Sequence, residues 1–124
     1  RALQDETGGF QAFIPLAFHP DNNQMRKLPA PTAADSLRVH AVGRLMLDNV
    51  PHIQSSWVTM GRKTGQLALH YGCDDMGSLM LEENVVSAAG TCHSVNRGEM
   101  LRMIGQAGFE AWQRDNVYGA VATA

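Results

Sequence analysis

Apolar positions along this chain follow two alternating periods, and the order of those periods is its first informative feature. Residues 10–18, Phe-Gln-Ala-Phe-Ile-Pro-Leu-Ala-Phe, are almost wholly apolar or aromatic, between Gly8-Gly9 and His19-Pro20. A short apolar run bounded this way predicts a strand covered on both faces, as in a parallel sheet. Pro15 counts against a regular central strand, because it has no N–H for the ladder. Residues 21–31 are polar and proline-rich and read as a loop. From Thr32 the period becomes helical. Ala34, Leu37, Ala41, Val42, Leu45 and Met46 recur as one stripe, with Arg38 and Arg44 off it. The Thr32 hydroxyl can cap the free amides, and Asp35 suits the positive end of the helix dipole. Asn49-Val50-Pro51 predicts the end, since the residue before a proline avoids helical geometry.

Residues 53–59, Ile-Gln-Ser-Ser-Trp-Val-Thr, read as a second strand. Alternation would put Gln54, Ser56 and Val58 on one face and Ser55, Trp57 and Thr59 on the other. Residues 64–71 read as a short helix stopped by Gly72, residues 74–81 as a third strand, and residues 82–89 as another short helix ending at Gly90. Asn96 with Glu99 forms a capping pattern for a last helix, whose apolar face is Met100, Leu101, Met103, Ile104 and Ala107 and whose stop is Gly108. Residues 109–118 form a polar and aromatic tail that extends as a strand or packs back.

Strands alternating with helices imply an α/β fold with parallel strands and right-handed crossovers. Three parallel strands make a poor autonomous unit, because both faces need cover. The pattern therefore suits the closing βα units of a (β/α)8 TIM-type barrel, with three units over residues 1–90 and a helical C-terminal extension over 91–124. In such a barrel chemistry sits at the C-terminal ends of the strands.

Composition narrows the class. With 124 residues, 44% of them hydrophobic and 18% charged, the chain is one globular domain at most, not a disordered tail. A net charge of −2 gives no electrostatic case for nucleic acid or an anionic membrane as partner. No apolar run approaches the roughly 20 residues of a membrane span. Two cysteines, Cys73 and Cys92, do not make a disulfide framework; with seven methionines they suit a reducing, cytoplasmic setting. The N-terminus has no signal-peptide pattern, and its start at Arg1 rather than at a Met leads us to expect a fragment or a processed chain.

Several motifs carry a more specific message. Leu3-Gln4-Asp5-Glu6-Thr7-Gly8-Gly9-Phe10 followed by Phe13-Ile14-Pro15 resembles a family of radical S-adenosylmethionine (SAM) enzymes that includes dehypoxanthine futalosine cyclases, aminofutalosine synthases and deazaflavin synthase subunits. The resemblance continues through Arg44–Thr59, Gly65–Leu69 and Gly77–Val86, and reaches Ala107–Glu110 and Gln113–Asp115. Ile53–Thr59 and Gly77–Val86 look most like the cyclases, whereas Phe13–Pro20 looks more like the aminofutalosine synthases.

The resemblance implies the C-terminal portion of a radical SAM barrel of menaquinone biosynthesis. The whole enzyme would cyclise dehypoxanthine futalosine, a small nucleoside substrate, after a deoxyadenosyl radical abstracts a hydrogen. It would use SAM and a 4Fe–4S cluster. Family members hold the cluster on a Cys-x-x-x-Cys-x-x-Cys run. No such run occurs here, so this chain alone is expected to bind no cluster, to be inactive, and to need the N-terminal part of the same barrel as its partner.

Candidate contacts to substrate or SAM lie near predicted strand ends: His19, Gln54, Ser56, Glu82 and Glu83. His19 is either a polar contact or proton acceptor, or a turn residue before Pro20. Gln54 and Ser56 on a strand face need a ligand, water or each other. Glu82 and Glu83 either bond a ribose hydroxyl or the SAM amino group, or complement a helix dipole. Trp57 is expected to pack on a neighbouring helix, and Asp74 and Asp75 to be turn residues at the far end of the barrel. His40 and His52 read as structural or solvent-facing. His70 with Cys73, and His93 beside Cys92, supply too few ligands for a metal site. The rival from another class is a free-standing α/β binding module without catalysis.

Overall fold

A computed structural model describes residues 1–22, 24–79 and 93–121. The expected alternation of strands and helices is present in part, with shorter strands and two helices that were not expected. Helix α1 spans Ala2–Thr7, strand β1 Ala12–Phe13, α2 Ala33–Met46, β2 His52–Ile53, α3 Trp57–Met60, α4 Arg62–Ala68 and α5 Arg97–Gln106, with a 3₁₀ turn at Leu69–Tyr71. β1 pairs with β2 in parallel, Ala12 opposite His52 and Phe13 opposite Ile53. A parallel bridge from Gln54 to Asp75 adds a third position, so the three segments lie side by side in chain order. The fold is mixed α/β around a small parallel sheet.

The first strand stops early because Pro15 cannot extend the ladder. The second is not a strand to residue 59. Trp57, Val58 and Thr59 are helical, with Ser56 O accepting from Thr59 N at 3.0 Å and Met60 N at 3.1 Å. Packing overrides their strand preference. Trp57 and Val58 join Met76, Val95 and Met103 in one core cluster, as expected of Trp57 against its neighbouring helix. The third strand is a single bridge, and Gly77 at φ 73° turns the chain out of the ladder. Residues 80–81 of that strand and the helix expected over 82–89 lie outside the described residues.

Helix α1 lies under the motif that carries the resemblance and was not expected. Its buried Gln4 closes a loop: Oε1 accepts from Phe10 N at 2.7 Å, and Nε2 donates to Phe10 O at 2.9 Å and Asn49 O at 3.2 Å. Helix α2 begins as predicted. Thr32 accepts from Asp35 N, and Asp35 accepts from Thr32 N at 3.0 Å and its hydroxyl at 2.7 Å. Those bonds hold the Asp35 carboxyl below its usual range. The stripe differs, however. Val42, Leu45 and Met46 are exposed, and the buried face is Ser36, Leu37, His40 and Gly43. His40 Nδ1 donates to Ser36 O at 2.7 Å, and Gly43 admits the Phe13 ring. The Nδ1 bond to a backbone carbonyl offsets part of the cost of burying the His40 ring, whose Nε2 is buried with no partner among the described residues. Helix α5 has the predicted box of Asn96 and Glu99 and buries Met103.

Asp74 and Asp75 are not turn residues. Asp74 Oδ1 accepts from Ile53 N at 2.7 Å and Arg44 Nη2 at 2.9 Å, and Oδ2 accepts from His52 Nδ1 at 2.7 Å. Asp75 is a ladder position, 9% exposed. Phe13 and Ile53 face α2 and α4 in a second cluster with Leu37, Ala68 and Cys73. His52 and Gln54 therefore face the opposite, inner side of the sheet.

Close packing makes one glycine testable. A Cβ on Gly65 would sit 2.6 Å from Trp57 Cβ and 3.1 Å from Trp57 Cα, whereas one on Gly105 would meet nothing within 4 Å. Gly65→Ala is expected to destabilise by roughly 1–3 kcal/mol. Gly105→Ala is expected to stabilise by about 0.5–1 kcal/mol. Thermal unfolding of both variants measures this; equal melting shifts would contradict the packing.

Candidate functional site

A cleft of about 450 Å³ opens beyond the ends of β1 and β2, within the size range of small-molecule sites. Ala17, Phe18 and His19 from the segment after β1, Thr59 and Met60 from α3, Ala33 and Ser36 from the start of α2, and His93 line it. Because 17–19 follow β1 and 59–60 follow β2, the cleft lies at the C-terminal ends of parallel strands. There the backbone leaves the ladder and side chains become free to meet a ligand.

Thr59 organises one wall. Its Oγ1 donates toward Ser56, 3.1 Å from the carbonyl oxygen and 3.0 Å from Oγ, and accepts from Ala17 N at 3.3 Å. His19 Nε2 lies 2.7 Å from Thr59 O. A carbonyl only accepts, so Nε2 carries the proton and the ring is fixed on the wall. The loop after β1 and the end of α3 are thus stitched together.

The structure separates the five sequence candidates. His19 lines the cleft. Ser56 lies one hydrogen bond behind it, buried under Thr59. Gln54 faces the inner side of the sheet, its amide against Gly77. Glu82 and Glu83 lie outside the described residues. His93 lines the cleft beside Met60, though its neighbour Cys92 had suggested only a weak metal pair. Its place in the loop leading to α5 was the only available signal, since loops on a rigid scaffold often carry function.

Away from the cleft, the tail covers part of the inner face. The Tyr118 ring stacks on His52, with centroids 3.7 Å apart and planes within 3°. Arg114 lies 4.1 Å from the Tyr118 ring centroid. Asp75 Oδ2 accepts from Arg114 Nη2 at 2.6 Å and from the Tyr118 hydroxyl at 3.1 Å. Of the two courses open to residues 109–118, extension as a strand or packing back, the second is seen at Arg114 and Tyr118.

These donors do not suit an iron–sulfur cluster. The sequence has two cysteines, and no group of three or more His, Cys, Asp or Glu among the described residues could hold a metal ion. No helix among the described residues is long and apolar enough to cross a membrane. Cys73 is buried, and that burial pushes its thiol from the ordinary 9.0 up to about 12. The folded state thus favours the protonated thiol. Its stabilising contribution is complete below 9.0 and is lost as pH rises toward 12. At about pH 8, iodoacetamide should leave Cys73 unmodified in the folded protein and alkylate it in denaturant, as read by peptide mass spectrometry. Reaction in the folded state at a free-thiol rate would contradict that environment.

A family-wide sequence profile described as the CofH/MqnC C-terminal region matches residues 7–123. The cyclic dehypoxanthine futalosine synthase of Streptomyces coelicolor is 52% identical over 118 residues, covering 95% of this chain and 30% of that protein. The same-named protein of Halalkalibacterium halodurans is 51% identical over 123 residues, covering 99% and 33%. The aminodeoxyfutalosine synthase of Thermus thermophilus is 43% identical over 127 residues, covering 98% and 34%. The chain spans about a third of the length of these relatives. Identity is higher to the first two than to the third, in line with the resemblance of Ile53–Thr59 and Gly77–Val86 to the cyclases.

Proposed function

We propose a function that proceeds from kinship: the chain belongs to the CofH/MqnC C-terminal family. The protein of which it forms part cyclises dehypoxanthine futalosine in the futalosine route to menaquinone. The observation that carries this reading is 51–52% identity to two cyclic dehypoxanthine futalosine synthases over 95–99% of the chain. This chain supplies the closing βα units of a (β/α)8 barrel over residues 1–90 and the extension over 91–124. Two features support that place. The side of β1 away from β2 has no ladder partner among the described residues, and α2 leaves Val42, Leu45 and Met46 exposed for a neighbouring unit.

The radical SAM chemistry and its cluster belong to the rest of the protein. This chain's own residues bind and orient. Ala17, Phe18 and Met60 give the cleft apolar walls that suit a flat nucleobase and exclude water, while His19, Ser36, Thr59 and His93 bring polar groups to sugar hydroxyls. Ser56 acts by holding Thr59, and Gln54 contributes an amide from the inner face. Glu82 and Glu83 remain proposed ligands after the third strand.

Product analysis of the whole protein, reconstituted and supplied with dehypoxanthine futalosine, should give the cyclic product. Formation of aminodeoxyfutalosine from that enzyme's own substrates would make it a synthase of the second kind. His19→Gln in the whole protein should lower kcat/KM about 10- to 100-fold, the scale of one lost polar contact in a dry site. A change under about twofold would remove His19 from the site.

A further inference from the structure

We propose that Arg114 and Tyr118 of the C-terminal tail are positioning residues for the inner-face part of the substrate site, acting through Asp75 and Gly77 on Gln54. This rests on the reading of Gln54 as a ligand-facing amide. The two oxygens of Asp75 have different partners. Oδ2 takes Arg114 Nη2 at 2.6 Å and the Tyr118 hydroxyl at 3.1 Å. Oδ1 takes Gly77 N at 2.8 Å. The carboxylate therefore ties the tail to the point where the third segment turns out of the ladder.

Gly77 is also where Gln54 rests. A Cβ there would sit 2.6 Å from Gln54 Nε2, so the amide lies directly against bare backbone. At φ 73° that backbone occupies a region that L side chains avoid, and the Asp75 bond holds it there. Releasing the tail frees Oδ2, lets the carboxylate rotate, and removes the hold on Gly77 and with it the backing of Gln54.

The tail is built to supply this force from a fixed place. Asp115 Oδ1 accepts from Val117 N at 2.9 Å and Gly119 N at 2.8 Å, and Asp115 N donates to Gly119 O at 2.9 Å. That turn presents Arg114 and Tyr118 together, and the arginine lies over the ring that stacks on His52. Burial, the largest influence on Tyr118, pushes its phenol up, so the hydroxyl stays a donor. Arg114 and Tyr118 belong to neither apolar cluster, and a plug needed for packing alone would not converge on one carboxylate.

A double-mutant cycle in the whole protein tests this. Gln54→Ala and Arg114→Met should each raise substrate KM, and Kd by equilibrium dialysis, about tenfold with kcat within about twofold, and the double variant should be no worse than the poorer single. Tyr118→Phe keeps the stack and should shift KM about two- to threefold the same way. It carries the test if Arg114→Met does not fold. Arg114→Lys should restore part of the affinity. Multiplying effects in the double variant, or a lower melting temperature with unchanged affinity, would overturn the proposal. A neutral Gln54→Ala would remove Gln54 from the site and the proposal with it. An impaired Gln54→Ala beside a neutral Arg114→Met would remove only the role of the tail.

Discussion

Three parallel segments hold this chain together, and their ladder is too short to do so unaided. β1 and β2 pair over two residues each, and the third segment joins through one bridge. So few backbone bonds leave the segments poorly fixed, and side chains complete the register. Asp74 takes the Ile53 amide within β2, Gln4 ties the approach to β1 to the loop after α2, and Thr59 ties the exit of β1 to α3. The cleft at one end of the sheet and the tail contact on its inner face both depend on that register.

The two faces of the sheet are organised by different forces. On the helix side, Phe13 and Ile53 pack with Leu37, Ala68 and Cys73, a nondirectional apolar contact. On the inner side, His52 and Asp75 meet Arg114 and Tyr118 through a stack, an ion pair and a hydroxyl bond, and the polar Gln54 lies against Gly77. Directional contacts fix orientation where apolar packing alone would tolerate slippage. Such a face can present polar groups to a ligand without collapsing onto it.

The same division decided which parts of the fold were legible in advance. The capping pairs Thr32–Asp35 and Asn96–Glu99 were readable because a cap is a local bond within four residues. Trp57–Thr59 was misread because aromatic and branched residues favour strands locally, while the core cluster around Trp57 selects a helix. The α2 stripe was misread because hydrophobic spacing does not reveal that the His40 ring can enter the interior by bonding the Ser36 carbonyl one turn back, or that Gly43 makes room for Phe13. Of the candidate site, His19 was legible from its place after an apolar run. His93 was not, because nothing local links it to residues more than seventy positions earlier.

By itself the sequence determined an alternation of strands and helices, their parallel sense, the capped starts of α2 and α5 and the family, since each rests on local chemistry or on motifs read in line. Only the tertiary structure decided where each strand stops, which face of α2 is buried, that Asp74 and Asp75 bind rather than turn, and that the tail folds back to Asp75. Those outcomes depend on contacts between residues tens of positions apart, whose strength is set by burial and geometry rather than by neighbours in the chain.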